Sequence, residues 1–170
     1  MAIELLEQMH SSQHILFPVG NGSLLIGSWK AFHDANLKVP GRPMPKLHAV
    51  QSEKCMPLVS LYAGTKMKPE NLGTRKTVAG GIAVESPPRI YQCLEAIKTS
   101  NGTAVPVEET RILYWQKRIA DEDGVFIEPT SAAALAGLEV LLAKGVIEPS
   151  DSVLIPLTGF GLKDKIPSRI

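Results

Sequence analysis

Cysteine is nearly absent from this chain: Cys55 and Cys93 are the only two in 170 residues. Two thiols so far apart supply neither a disulfide framework nor a paired-cysteine zinc site, and with no secretory signal ahead of them a reducing, cytoplasmic setting is expected. Aromatic residues make up only 5% of the chain, so aliphatic side chains must build the core, as suits an α/β protein. Neither sign of charge dominates. Eighteen basic residues stand against seventeen acidic ones, a formal +1, and without a Lys/Arg cluster neither nucleic acid nor an anionic membrane is expected as a partner. No apolar run reaches the roughly 20 residues of a bilayer span, since the longest, from Ala132 to Ala143, is broken by Gly137 and Glu139. His10, His14, His33 and His48 have no ligand-like spacing, so ordinary core or surface roles are expected for them and no metal site. A G-x-S-x-G elbow and an activated thiol are also missing, which removes the common hydrolase readings.

What remains is ordinary globular composition, 44% hydrophobic and 21% charged, enough for one domain with one core. Short apolar runs alternate with longer segments of helical period. Strands are expected at His14–Val19, Leu47–Gln51, Thr103–Val107, Val125–Glu128 and Val153–Leu157, the last nearly all apolar as if covered on both faces. Helices are expected at residues 1–9 and, from apolar residues three or four apart, at Ser23–Leu37, Pro88–Thr99 and Ser131–Lys144; another is expected at Glu108–Glu122, opened by Glu108 and Glu109 where negative charge favours a helix N-terminus. Gln51–Val84, rich in glycine and proline, reads as an irregular excursion over the sheet edge. The alternation predicts a three-layer α/β/α domain around a mainly parallel sheet.

Three segments could carry chemistry. Gly20-Asn21-Gly22-Ser23 follows a strand and opens a helix, where free backbone N–H groups and the helix dipole favour an anion; a plain tight turn is the simpler alternative. A dinucleotide fingerprint fails, because its third glycine would fall at Leu25. Thr158, in Leu157-Thr158-Gly159-Phe160-Gly161, would sit at a strand C-terminus, the edge where open α/β sheets bind ligands, or would merely end the strand. In Glu128-Pro129-Thr130-Ser131 the hydroxyls are expected to cap the following helix.

Three blocks, FPVGNGSLLIGSWKAF at Phe17–Phe32, EPTSAAALAGL at Glu128–Leu138 and LTGFGLKD at Leu157–Asp164, resemble the threonine synthases in order and spacing. The resemblance implies the tryptophan synthase beta-like fold of fold type II pyridoxal-phosphate enzymes, with residues 1–170 equivalent to the C-terminal part of the large domain. It further implies that the backbone of Gly20, Asn21, Gly22 and Ser23 holds the phosphate of pyridoxal 5′-phosphate, while Thr158 contacts the pyridine nitrogen. The family's Schiff-base lysine falls N-terminal to the glycine loop, and neither Lys30 nor Lys163 lies in its motif, so no catalytic residue is assigned here. The implied parent is a lyase of threonine biosynthesis that takes O-phosphohomoserine to threonine and phosphate, and this chain alone is expected to be inactive. TVAGGIAV at Thr77–Val84 resembles serine and threonine dehydratases at least as well, which leaves β-elimination open. A non-catalytic assembly module is the further alternative. A small amino-acid substrate is implied for the parent, and self-association into a homo-oligomer is expected from the apolar surface and strand edges that a truncated domain exposes.

Overall fold

The computed structural model describes residues 2–8, 12–38, 41, 43–65 and 77–163. Strand side chains alternate between faces, yet in β1 (His14–Pro18) every residue from His14 to Phe17 is buried. This strand therefore has layers on both sides. Ile15, Phe17 and Val19 point into one apolar cluster with Leu25, Ile26 and Phe32 of α2 (Ser23–Lys38), Leu58 and Val59 of α3 (Pro57–Tyr62) and Cys93 and Ile97 of α4 (Ile90–Thr99). The short α1 (Ala2–Gln8) adds Leu5 and Leu6 to the same side. Leu16 points the other way, into a cluster with Ile112 of α5 (Glu109–Asp123) and Ala132, Ala133, Ala136 and Leu141 of α6 (Pro129–Ala143). The result is the expected three layers.

The sheet holds β1, β2 (Lys46–Ser52), β3 (Ala104–Val107) and β4 (Val153–Leu154) in the order β3-β2-β1-β4, and every neighbouring pair is parallel. The chain steps from β1 to β2 to β3 in one direction and then crosses to the far side of β1 for β4. Where the order reverses, the chain leaving β1 runs to α2 on one face and the chain leaving β4 is fastened to the start of α6 on the other; the C-terminal edge at such a reversal is the place where open α/β sheets bind ligands. Helix α6 lies close on this sheet because residue 137 is glycine: a methyl group there would collide with the Val50 side chain. No helix among the described residues is long and apolar enough to cross a membrane.

Two expected strands differ. Val125–Glu128 is no strand but a single antiparallel bridge, Ile127 to Phe160. Gly124 ends α5 in the left-handed region at φ 68°, and Pro129 already starts α6. The few residues between bond instead to the turn after β4, through Glu128 N–H to Gly159 C=O at 3.0 Å and Gly161 N–H to Phe126 C=O at 2.8 Å. β4 is shorter than Val153–Leu157 because only Val153 and Leu154 pair with β1, and Pro156 has no N–H to extend a ladder. The excursion from Gln51 also contains α3, which Pro57 opens as its first residue; residues 66–76 of that excursion, and His10, lie outside the described residues.

At the N-terminal edge of the sheet two of the histidines meet. His14 Nε2 faces Asp151 Oδ2 at 3.3 Å, and His14 Nδ1 lies 2.9 Å from His48 Nε2. With His14 donating to the carboxylate, its Nδ1 accepts from His48, and His48 Nδ1 is left buried without a partner among the described residues. A second proton on His48 would place an unpaired N–H in the core. Burial, with His14 and Lys46 adding repulsion, accordingly holds His48 down to about 4, and burial and Lys46 lower His14 against the pull of Asp151. The unfolded chain then binds more protons than the folded one between the ordinary histidine value and about 4, so stability is full above pH 6.5 and falls as the pH drops through this window. Thermal unfolding at pH 7 and pH 4.5 should differ by on the order of 3 kcal/mol, with a flatter profile in His48→Gln; equal stability across the window would contradict it.

Candidate functional site

The last ladder bond of β1 is Val19 N–H to Val50 C=O at 2.9 Å. Beyond it the chain leaves the sheet through Gly20, Asn21 and Gly22 and enters α2 at Ser23. Space forces the glycines. A methyl group on Gly20 would lie 2.7 Å from the Gly81 carbonyl oxygen, and one on Gly22, where φ is +79°, would run into Cys93 Sγ. Ile26 N–H closes the first helical bond onto Gly22 C=O at 2.9 Å, which leaves the N–H groups of Asn21 to Leu25 without an acceptor among the described residues. These are the orphan donors of a helix start, reinforced by the positive end of the helix dipole. Asn21 and Ser23 are exposed beside them. A tetrahedral anion with several acceptor oxygens, such as a phosphate monoester, fits this cradle.

Cys93 is the floor beneath it. The thiol is buried, and that burial pushes its pKa up to about 11 against the pull of Arg89, so it is a neutral packing group and no nucleophile.

Thr158 follows β4 on the neighbouring strand and is exposed. The turn that carries it is fastened to the start of α6: Gly159 N–H donates to Ser131 Oγ at 3.1 Å, and Glu128 N–H donates to Gly159 C=O at 3.0 Å. The loop 77–84 lies against Gly20, where the Gly81 carbonyl, Ile82 and Val84 fill the space a side chain there would need. Thr77 Oγ1 and Val78 N–H donate to the Glu109 carboxylate at 2.7 and 2.6 Å, and Ser52 donates to the same group from the end of β2. Gly81 N–H donates to Thr130 Oγ1 at 3.1 Å. Gly20, Asn21, Gly22, Ser23 and Thr158 thus follow the C-terminal ends of two adjacent strands, at the point where the sheet order reverses. Lys30 is exposed on α2, and Lys163 closes a 3-10 turn at Gly161–Lys163.

The capping roles expected for Thr130 and Ser131 are overturned. The N-cap of α6 is Glu128, with no side-chain cap bond, and Pro129 at the first helical position needs no acceptor. The two hydroxyls are spent on Gly81 and Gly159 instead. Glu109, read as a favourable charge at a helix start, is buried and holds a loop. Nothing local in the sequence marks these bonds, because each partner lies some thirty residues away or more.

The pyridoxal-phosphate dependent enzyme family model matches residues 1–159. The chain belongs to that family. Its curated relatives include the threonine synthases of Methanocaldococcus jannaschii, 30% identical over 166 residues, and Methanosarcina acetivorans, 35% identical over 152. These alignments take in 96% and 88% of this chain but 41% and 37% of the relatives, so the chain spans about two fifths of their length. Among solved structures, a T.th. threonine deaminase superposes with a TM-score of 0.71 at 24% identity, over 98% of this chain and 57% of that one. The fold is the tryptophan synthase beta-like one.

Gly22→Ala should lose on the order of 1–3 kcal/mol of stability through its positive φ alone, before any contact with Cys93. Gly27→Ala, on an open face of α2 with nothing within 4 Å, should be neutral or stabilising. Thermal unfolding of the two variants checks this; equal midpoints would mean that the glycine loop is not under the constraint described.

Proposed function

We propose that this chain is the phosphate- and ring-holding part of a pyridoxal-phosphate enzyme of the threonine synthase type, equivalent over residues 1–170 to the C-terminal part of its large domain. The observation that carries the reading is the run of five unpaired amides from Asn21 to Leu25 after β1, with the Thr158 turn after the adjacent β4, at the edge where the strand order reverses. In this reading the amides take the cofactor phosphate, with Asn21 and Ser23 adding side-chain donors. The Thr158 hydroxyl faces the pyridine nitrogen, and being neutral it leaves that nitrogen less protonated than a carboxylate would. When bound, the cofactor supplies an electron sink for the substrate's reacting carbon. A primary amine must still hold its aldehyde, and the reading places that lysine on polypeptide outside this chain.

For the whole enzyme we infer a lyase acting on a small phosphorylated amino acid, O-phosphohomoserine, to give threonine and phosphate. The threonine synthase relatives support this. Dehydration of serine or threonine is the second reading, supported by Thr77–Val84 and by the structural likeness to a threonine deaminase. Phosphate release against 2-oxo acid formation by the longer enzyme separates the two. Self-association belongs to the same reading, since Leu157, Phe160 and Leu162 stand exposed along one stretch after β4.

Borohydride reduction after adding pyridoxal phosphate, followed by intact mass and peptide mapping, tests the division of labour. Sparse adducts scattered over surface lysines are expected. One stoichiometric adduct at a single lysine would mean that the chain carries its own Schiff-base residue, and the reading fails.

A further inference from the structure

Adjacent hydroxyls at the start of α6 reach different parts of the site. Ser131, fully buried, accepts the Gly159 N–H at 3.1 Å and turns its own proton toward Gly159 C=O at 3.5 Å. Thr130 Oγ1 accepts the Gly81 N–H at 3.1 Å. The sheet does not hold the Thr158 turn, because β4 pairs with β1 only through Val153 and Leu154. What fixes that turn is the segment before α6, through the Phe126 bond to Gly161 and the Ile127–Phe160 bridge, and at Gly159 the start of α6: the Ser131 hydroxyl and the Glu128 N–H, with the Glu128 side chain packed where any Gly159 side chain would go. On the other branch the Gly81 carbonyl lies where any Gly20 side chain would go, and the bond from Gly81 to Thr130 holds the 80–82 turn against the glycine loop.

We propose that Thr130 and Ser131 are separate positioning residues for the two ends of one cradle, Thr130 for the phosphate end through Gly81 and Gly20, and Ser131 for the ring end through Gly159 and Thr158. The meaning of the two ends rests on the cofactor reading above, whereas the contacts themselves do not. One rigid turn thereby fixes the separation between the anion-binding amides and the hydroxyl that faces the ring nitrogen. A bland alternative is that both hydroxyls simply pack the start of α6, in which case removing either one loosens the whole turn and both loops with it.

The variants Ser131→Ala and Thr130→Val separate these cases without any ligand. An N–H that loses its acceptor should open about tenfold more often, so hydrogen exchange at Gly159 accelerates in Ser131→Ala while Gly81 is unchanged, and Thr130→Val shows the reverse. Thr130→Ser, which keeps the hydroxyl, should restore slow exchange at Gly81. A second arm adds pyridoxal phosphate and reads its two ends separately. Ser131→Ala should shift the pH profile of the ring absorbance and leave the phosphorus resonance of the bound phosphate in place, and Thr130→Val should move the phosphorus resonance and leave the ring profile.

Acceleration at both glycines in each variant, or at neither, overturns the proposal. Failure of the unaltered chain to bind pyridoxal phosphate would instead remove the cofactor reading, and the exchange arm would still decide whether the two hydroxyls act separately.

Discussion

The bond from Val19 N–H to Val50 C=O is the point at which β1 lets go of the sheet, and the geometry of the candidate site follows from it. β1 is a central strand with apolar layers on both faces, so its position is fixed by burial. Once the ladder ends, the next residues must turn between the Gly81 carbonyl on one side and the Cys93 thiol on the other, where only glycine fits at positions 20 and 22. That confinement carries the chain into α2 with five consecutive amides that have no acceptor among the described residues. A looser turn would leave the same donors to water.

The two edges of the sheet do different work. At the N-terminal edge, the partly exposed Asp151 and the buried His14 and His48 form a chain in which the imidazoles stay neutral, and this ties the segment before β4 to β1 and β2. At the C-terminal edge the polar groups belong to loops, and those loops are fastened by buried side chains from elsewhere in the fold: Glu109 for residues 77–78, Thr130 for Gly81 and Ser131 for Gly159. Buried polar groups must find partners, and here the partners are the backbone of the site. The framework is therefore positioned by residues that need touch no ligand.

Much of the architecture was legible in the sequence because it rests on local pattern. The apolar spacing of Ser23–Lys38 and the acidic opening of Glu109–Asp123 marked two long helices, and His14–Pro18 and Ala104–Val107 were marked by β-branched and other apolar residues at a strand-like density. The glycine loop was legible for the same reason, lying between a strand and a helix. Val125–Glu128 misled because hydrophobicity alone does not distinguish a sheet strand from an extended link whose partner is another turn. The contacts of Thr130 and Ser131 were hidden: capping is the local rule for hydroxyls before a helix, and the competing partners, Gly81 and Gly159, become neighbours only when the sheet order brings loops together. His14 and His48 give no signal of their meeting either, since their contact depends on the parallel register of β1 and β2.

Whether one crevice receives a phosphate at the glycine loop and a ring beside Thr158 is tested most directly by an amide NMR titration with pyridoxine 5′-phosphate, which lacks the aldehyde and cannot label lysines. Saturable shifts confined to the amides of Asn21–Leu25 and of Thr158–Gly159, with the resonances around His14 and His48 unmoved, are the predicted result. A silent glycine loop, with shifts scattered over surface lysines, would contradict it.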